Sequence, residues 1–235
     1  MKRKNIYFLV LCCILTACDK TENEEMLENL FINQSYEHKA LTEYASVVPS
    51  TSIYSQEFNN PDNCSEWNIG ENEYATYSLE NGQYIIQAKK GFYNWTSFEV
   101  SANRDFQIEV QMACNFMLGA TSSGLVFGVN KTKGSYGAIL FGNDVPFYIG
   151  LYNGSKWEAW FNIKTAPYTE PAYRNAVHLY TIRKVGDKVS FFLDKELLYS
   201  TVYTGSLNSI GFSNSNKGMV VVDYVRVDYI KVVEE

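Results

Sequence analysis

One stretch of this chain combines residue types that could do chemistry at a useful spacing. In Lys156–Ile163, Glu158, Trp160 and Asn162 share one parity, while Trp157, Ala159, Phe161 and Ile163 share the other. The first set places an indole beside a carboxylate and an amide. That combination lets the face of a hydroxylated ring stack on the indole while its hydroxyls bond to polar neighbours. The second set reads as core. In the preceding run, Tyr148 and Tyr152 oppose Phe147, Ile149 and Leu151, and Tyr136 opens the run before that. If these runs are neighbouring strands, Tyr136, Tyr148, Tyr152, Glu158, Trp160 and Asn162 line a single face. Tyr93 and Trp95 lie on a link that would rim it.

Other chemistries are poorly provided for. Hydrolysis of a glycosidic bond uses two carboxylates at a set separation. The row Gln107-Glu109-Gln111 has amides where further acids are needed, so Glu109 reads as a residue of a solvated face. Of the two histidines, His38 precedes the β-rich region, and His178 shares parity with Tyr180 and Ile182, which points it toward the core. The sequence therefore supplies neither a positioned general base for a Ser-His-Asp arrangement nor a G-x-S-x-G turn. Asn143-Asp144 and Asp187 are possible calcium ligands, but isolated Asn and Asp in turns ordinarily serve turn geometry. With no C-x-x-C and so few histidines, a Cys/His zinc site is not expected. The expectation is a protein without catalytic residues, metal or cofactor, calcium being the one ion left open.

The N-terminus carries an address. Lys2-Arg3-Lys4 leads into an apolar run from Ile6 to Leu15, followed by Thr16-Ala17-Cys18. A basic segment, a short apolar segment and small residues before a cut form a secretory signal, and ten or so apolar residues are about half of what spans a bilayer. Removing its three basic residues lowers the net charge from −6 to about −9. An acidic chain without a basic cluster lacks the Lys/Arg surplus that phosphate contacts need, so nucleic acid is not an expected partner. Two of the five cysteines, Cys12 and Cys13, fall inside the signal; Cys64 and Cys114 lie in the remainder and could pair or stay free.

Three segments follow: 1–17 as the signal, 18–52 as a tether and stalk, and 53–235 as one folded domain. The polar, acidic stretch Asp19–Glu25 suits a tether, and Met26, Leu27, Leu30 and Phe31 fall at helical spacing. From Ile53 the texture is β. Short alternating or apolar runs recur with turn signals between them, including Asn81-Gly82 and Asn153-Gly154, the dipeptides that favour tight hairpins. Phe106, Ile108, Val110, Met112 and Cys114 alternate with polar residues as one strand of a two-faced sheet. More than a dozen such runs and no long helical pattern predict an all-β, two-sheet antiparallel sandwich.

Two resemblances add to this reading. Leu15-Thr16-Ala17-Cys18 resembles the bacterial lipobox, which implies acylation of Cys18, export, and a lipid anchor at the outer membrane or cell surface. The acidic stretch after it resembles the surface-export signals of Bacteroidetes lipoproteins. Within residues 54–231, a series of pieces in order resembles the concanavalin A-like lectin/glucanase sandwiches, which include laminin-G-like modules. The pieces are Phe58–Pro61 before Trp67, Glu80-Asn81-Gly82-Gln83-Tyr84, Gly91–Trp95, Asp105–Val110, Ser123–Phe127, Val185–Leu193 and Val222–Val227. Asp194-Lys195 stands where that family often has Asn-Gly. The resemblance implies a jelly roll with one concave sheet. The family's glucanases carry an E-x-D-x-x-E strand that is missing here, and no acid cluster supports a 3-keto-disaccharide hydrolase-like activity. The combined expectation is a lipid-anchored surface protein that binds a glycan or polysaccharide without cleaving it. The alternatives are a module that binds a protein partner in the envelope and, further off, a glycan-cleaving enzyme.

Overall fold

The computed structural model describes residues 44–101, 103–115, 122–143, 146–215 and 217–233, with the side chains of Phe92 and Tyr93 outside the described set. Cys18, the stalk positions Met26, Leu27, Leu30 and Phe31, His38 and Asp144 all lie outside the described residues. The sandwich occupies the compact unit Ser46–Glu235. Its strands are β1 (Val47–Gln56), β2 (Gly70–Glu71), β3 (Ala75–Glu80), β4 (Gln83–Ala88), β5 (Phe92–Ser97), β6 (Phe106–Asn115), β7 (Ser122–Asn130), β8 (Ser135–Gly142), β9 (Phe147–Tyr152), β10 (Trp157–Ile163), β11 (Val177–Val185), β12 (Lys188–Leu193), β13 (Glu196–Val202), β14 (Ser209–Asn214) and β15 (Met219–Val232). Among the described residues, no helix is long and apolar enough to cross a membrane.

All pairings are antiparallel, and they form two sheets. One runs β13-β12-β11-β6-β15-β4-β3-β2, with β1 also on β15; the other runs β10-β9-β8-β7-β14-β5. Strand β15 is long enough to pair β4 through Met219–Val222 and β1 through Val225–Val232 along the same edge. β1 starts at Val47, ahead of Ile53. It pairs on one side only and carries register shifts on both sides of Thr51-Ser52, which is how a strand accommodates Pro49.

Sequence periodicity explains the interior. Phe106, Ile108, Val110, Met112 and Cys114 of β6 are fully buried, and Ile139 and Phe141 of β8 and Phe147 and Ile149 of β9 meet them from the other sheet. The residues that carried the resemblance are part of this core. Phe58 stacks on Tyr84 with ring centroids 5.1 Å apart, and Trp67 packs on Phe212 at 5.3 Å. The Trp67 indole N–H donates to the Tyr54 hydroxyl at 2.9 Å, which satisfies the one polar atom such a ring brings inside. The Asn81-Gly82 turn has both residues at positive φ, as a two-residue hairpin requires, and so does Asp194-Lys195. Cys64 and Cys114 are both free and buried.

Candidate functional site

The register of the smaller sheet fixes which residues share its outer face. Ala138 lies opposite Gly150 and Val126, and Val126 lies opposite Gly211, whose other partner is Trp95. One row of mostly small residues therefore crosses the face from β9 to β5. On one side of this row stand Tyr136 and Tyr152, directly paired, with Trp157 paired to Tyr152. On the other side stand Tyr148, paired to Leu140 and to Asn162. Val126, Ala138 and Leu140 are buried on this face beneath Tyr136 and Tyr148, a second small core separate from the one between the sheets.

The aromatic side chains form one cluster. Trp157 lies 5.5 Å from Tyr136 and 5.8 Å from Tyr148, edge to face in both cases, and 5.5 Å from Tyr152. Tyr136 and Tyr152 are 5.4 Å apart. Trp157 nevertheless keeps 42% of its surface exposed. A large ring held by three others and still open to solvent is pre-organised for stacking, since little side-chain freedom remains to be lost on binding. Burial pushes the Tyr148 phenol up to about 12, so it remains an O–H donor at neutral pH.

Three sequence expectations are corrected here. Trp160 does not stand on this face; it packs inward, 6.1 Å from Phe191 and 5.6 Å from Tyr203. Glu158 pairs with Leu151 and is exposed on the parity opposite to Tyr152, away from the cluster. The cause is a bulge in β10 between Ala159 and Phe161, which turns both Trp160 and Phe161 inward and reverses the alternation. Trp157, read from the sequence as core, takes the outer position instead. Gly150 was the available signal. A Cβ there would lie 2.5 Å from the Glu158 carbonyl oxygen, and a glycine inside a strand marks such a close approach. Asn162 does reach the outer face, beside Tyr148. Trp95 is on the same face but on the far edge strand, with the Lys131 ammonium 5.3 Å above its ring. The Tyr93 backbone pairs with Ser213, and its side chain lies outside the described set.

Acidic residues are few on this sheet. Across the six strands of this sheet the single acidic residue is Glu158. On the other sheet, Glu109 is half-buried rather than solvated. It accepts from the Gln107 amide at 2.8 Å, and Gln107 in turn accepts from Arg183 Nε at 2.8 Å. The bonds fix Glu109 within a polar row that pairs with Arg226 and Asp228 of β15.

The buried histidine is likewise committed. His178 Nδ1 is 2.6 Å from an Asp194 carboxylate oxygen and Nε2 is 2.7 Å from the Tyr173 carbonyl oxygen. Both partners are acceptors when the carboxyl is ionised, an arrangement that favours a proton on each ring nitrogen. Burial works against that charge, but the bonds to Asp194 and Tyr173 outweigh it and the pKa is raised. Burial likewise opposes the Asp194 charge, yet His178 and the Leu179 N–H hold that carboxyl below its ordinary value. Both ring nitrogens are engaged by Asp194 and Tyr173. Among the described residues, no group of three or more His, Cys, Asp or Glu is placed to hold a metal ion.

No family model matches the chain, and no curated protein is significantly similar to it in sequence. Solved structures are similar in shape. A protein of unknown function with a galectin-like fold from Bacillus subtilis matches with a TM-score of 0.58 at 9% identity, covering 80% of this chain and 100% of that one. The CBM2 module of the evolved Dit of Lactobacillus casei BL23 phage J-1 matches at 0.54 and 15% identity, covering 80% and 99%. An endo-β-1,3-glucanase from Pyrococcus furiosus matches at 0.52 and 16% identity, covering 80% and 99%. The sandwich therefore has a concanavalin A-like jelly-roll fold. At these identities the likeness concerns the fold, and this fold carries binding modules and hydrolases alike.

Proposed function

We propose that this protein binds a glycan through the outer face of its smaller sheet and does not cleave it. The observation that carries the reading is Trp157, held by Tyr136, Tyr148 and Tyr152 yet 42% exposed, with the Asn162 amide on the same face. Sugar rings stack their C–H faces on such an indole, and their hydroxyls take amides and phenols as partners. The scarcity of carboxylates on this sheet supports binding over hydrolysis. A carbohydrate-binding module among the structures of similar fold is consistent with this ligand class. The lipobox-like Leu15–Cys18 supports attachment by lipid at the outer membrane or cell surface, which would hold the sandwich against polysaccharides outside the cell.

A panel of glycans and insoluble polysaccharides, probed with the full-length protein in detergent, tests the proposal. Selective retention that disappears in Trp157→Ala, without release of free sugar, is the expected result. Released sugar would make the protein an enzyme. Absence of binding by the folded protein would favour a protein-binding module on the same scaffold.

A further inference from the structure

Away from the aromatic cluster, a pocket of about 450 Å³ opens beside the edge strand β5, and Asn68, Asn72, Tyr74, Asn94, Trp95 and Lys131 are among the residues lining it. Asn94 is 7% exposed, and its amide N–H donates to the Tyr84 hydroxyl at 3.3 Å, but its carbonyl oxygen is buried with no partner. Asn72 spends its carbonyl on the N–H groups of Tyr74 and Ala75, which leaves its amide N–H groups to donate. Trp95 supplies a ring face.

Charge narrows the ligand. Among the described residues lining the pocket, Lys131 is the only one with an ionised side chain. Its ammonium lies 5.3 Å over the Trp95 ring and makes no ion pair among the described residues. The nearby cations Lys89 and Lys90 are already paired with Glu71 and Glu73. The Glu66 carboxylate beside the pocket accepts from the Thr96 hydroxyl at 3.3 Å. From these contacts we infer that the pocket is a second subsite that takes one sugar residue bearing a carboxylate. A ring hydroxyl accepts from the Asn72 amide, the ring lies beside Trp95, and the carboxylate meets Lys131. The inference rests on the glycan-binding reading for its ligand class alone, because pocket and aromatic cluster sit on opposite edges of the sheet.

The test is an NMR titration of the full-length protein with glucuronate and, separately, glucose. Glucuronate should shift the Trp95 indole and Asn94 amide signals at least several-fold more tightly than glucose. Lys131→Gln, in an exposed turn, should bring the two sugars level, and Trp157→Ala should leave the titration unchanged. No shift at Trp95 with millimolar glucuronate, equal response to the two sugars in the wild type, or a response indifferent to Lys131→Gln would overturn the assignment. Because Trp157→Ala removes the other site, failure of the pocket and failure of the aromatic platform are read separately.

Discussion

At the scale of the residue, the two tryptophans of β10 have exchanged the roles that simple alternation assigns them. Trp157→Ala removes a ring packed on three tyrosines but 42% exposed, so the melting temperature should fall less than for Trp160→Ala. Trp160→Ala opens a gap beside Phe191 and Tyr203 and should cost about 2 kcal/mol, less than the ~3–5 of a fully buried aromatic. Thermal unfolding of the pair checks the exchange: equal effects would contradict it. The His178–Asp194 bond makes a second prediction, with a definite sign. A raised histidine pKa contributes stability below the ordinary value of 6.5 and loses it as pH rises through the folded value. A lowered carboxyl pKa contributes above the ordinary 3.8 and loses it as pH falls. Asp194→Asn should therefore destabilise most in the interval between those two values. Melting curves across pH should show the difference from wild type shrinking on both sides of that interval. Residue types alone picked out Tyr136, Tyr148, Tyr152 and Asn162 correctly as sharing a face. They misplaced Trp160 because period-two reasoning holds only while the strand stays regular.

At the scale of the element, the bulge between Ala159 and Phe161 decides what the site is. It admits two consecutive aromatics to the core and turns Trp157 to solvent, and the absence of a Cβ at Gly150 leaves room for it. Gly150→Ala would set a methyl 2.5 Å from the Glu158 carbonyl oxygen, against backbone that cannot swing aside. The strands must part, at an expected cost of about 1–3 kcal/mol. The same change should weaken glycan binding although residue 150 contributes no ring. Unfolding and binding measured on this variant would contradict the account if β10 tolerated it with both unchanged. The strands themselves were legible, because turn dipeptides such as Asn81-Gly82 and Asn153-Gly154 delimit runs of regular alternation. The start of β1 was not. Its Pro49-Ser50-Thr51-Ser52 composition reads as a break, and β15 alone holds it in the sheet.

At the scale of the molecule, the two-layer architecture follows from apolar faces that only another sheet can cover. It was readable from the number and spacing of the strands. The function was less so, since this fold presents several faces and edges and the sequence does not say which is in use. Among the described residues no disulfide ties the sandwich: Cys64 and Cys114 are both free and buried, and burial pushes the Cys114 thiol up to about 11, where it is unreactive. Reductant should leave the melting temperature unchanged, and alkylation after unfolding without reductant should label both thiols. The central claim is that an exposed indole on the outer face of the smaller sheet binds a glycan. Calorimetric titration of the wild type, Trp157→Ala and Trp160→Ala with a glycan chosen from the panel tests it most directly. The account predicts a loss of about tenfold or more in affinity, near 1.4 kcal/mol, for Trp157→Ala, and a much smaller change for a folded Trp160→Ala. Undiminished binding by Trp157→Ala would contradict it.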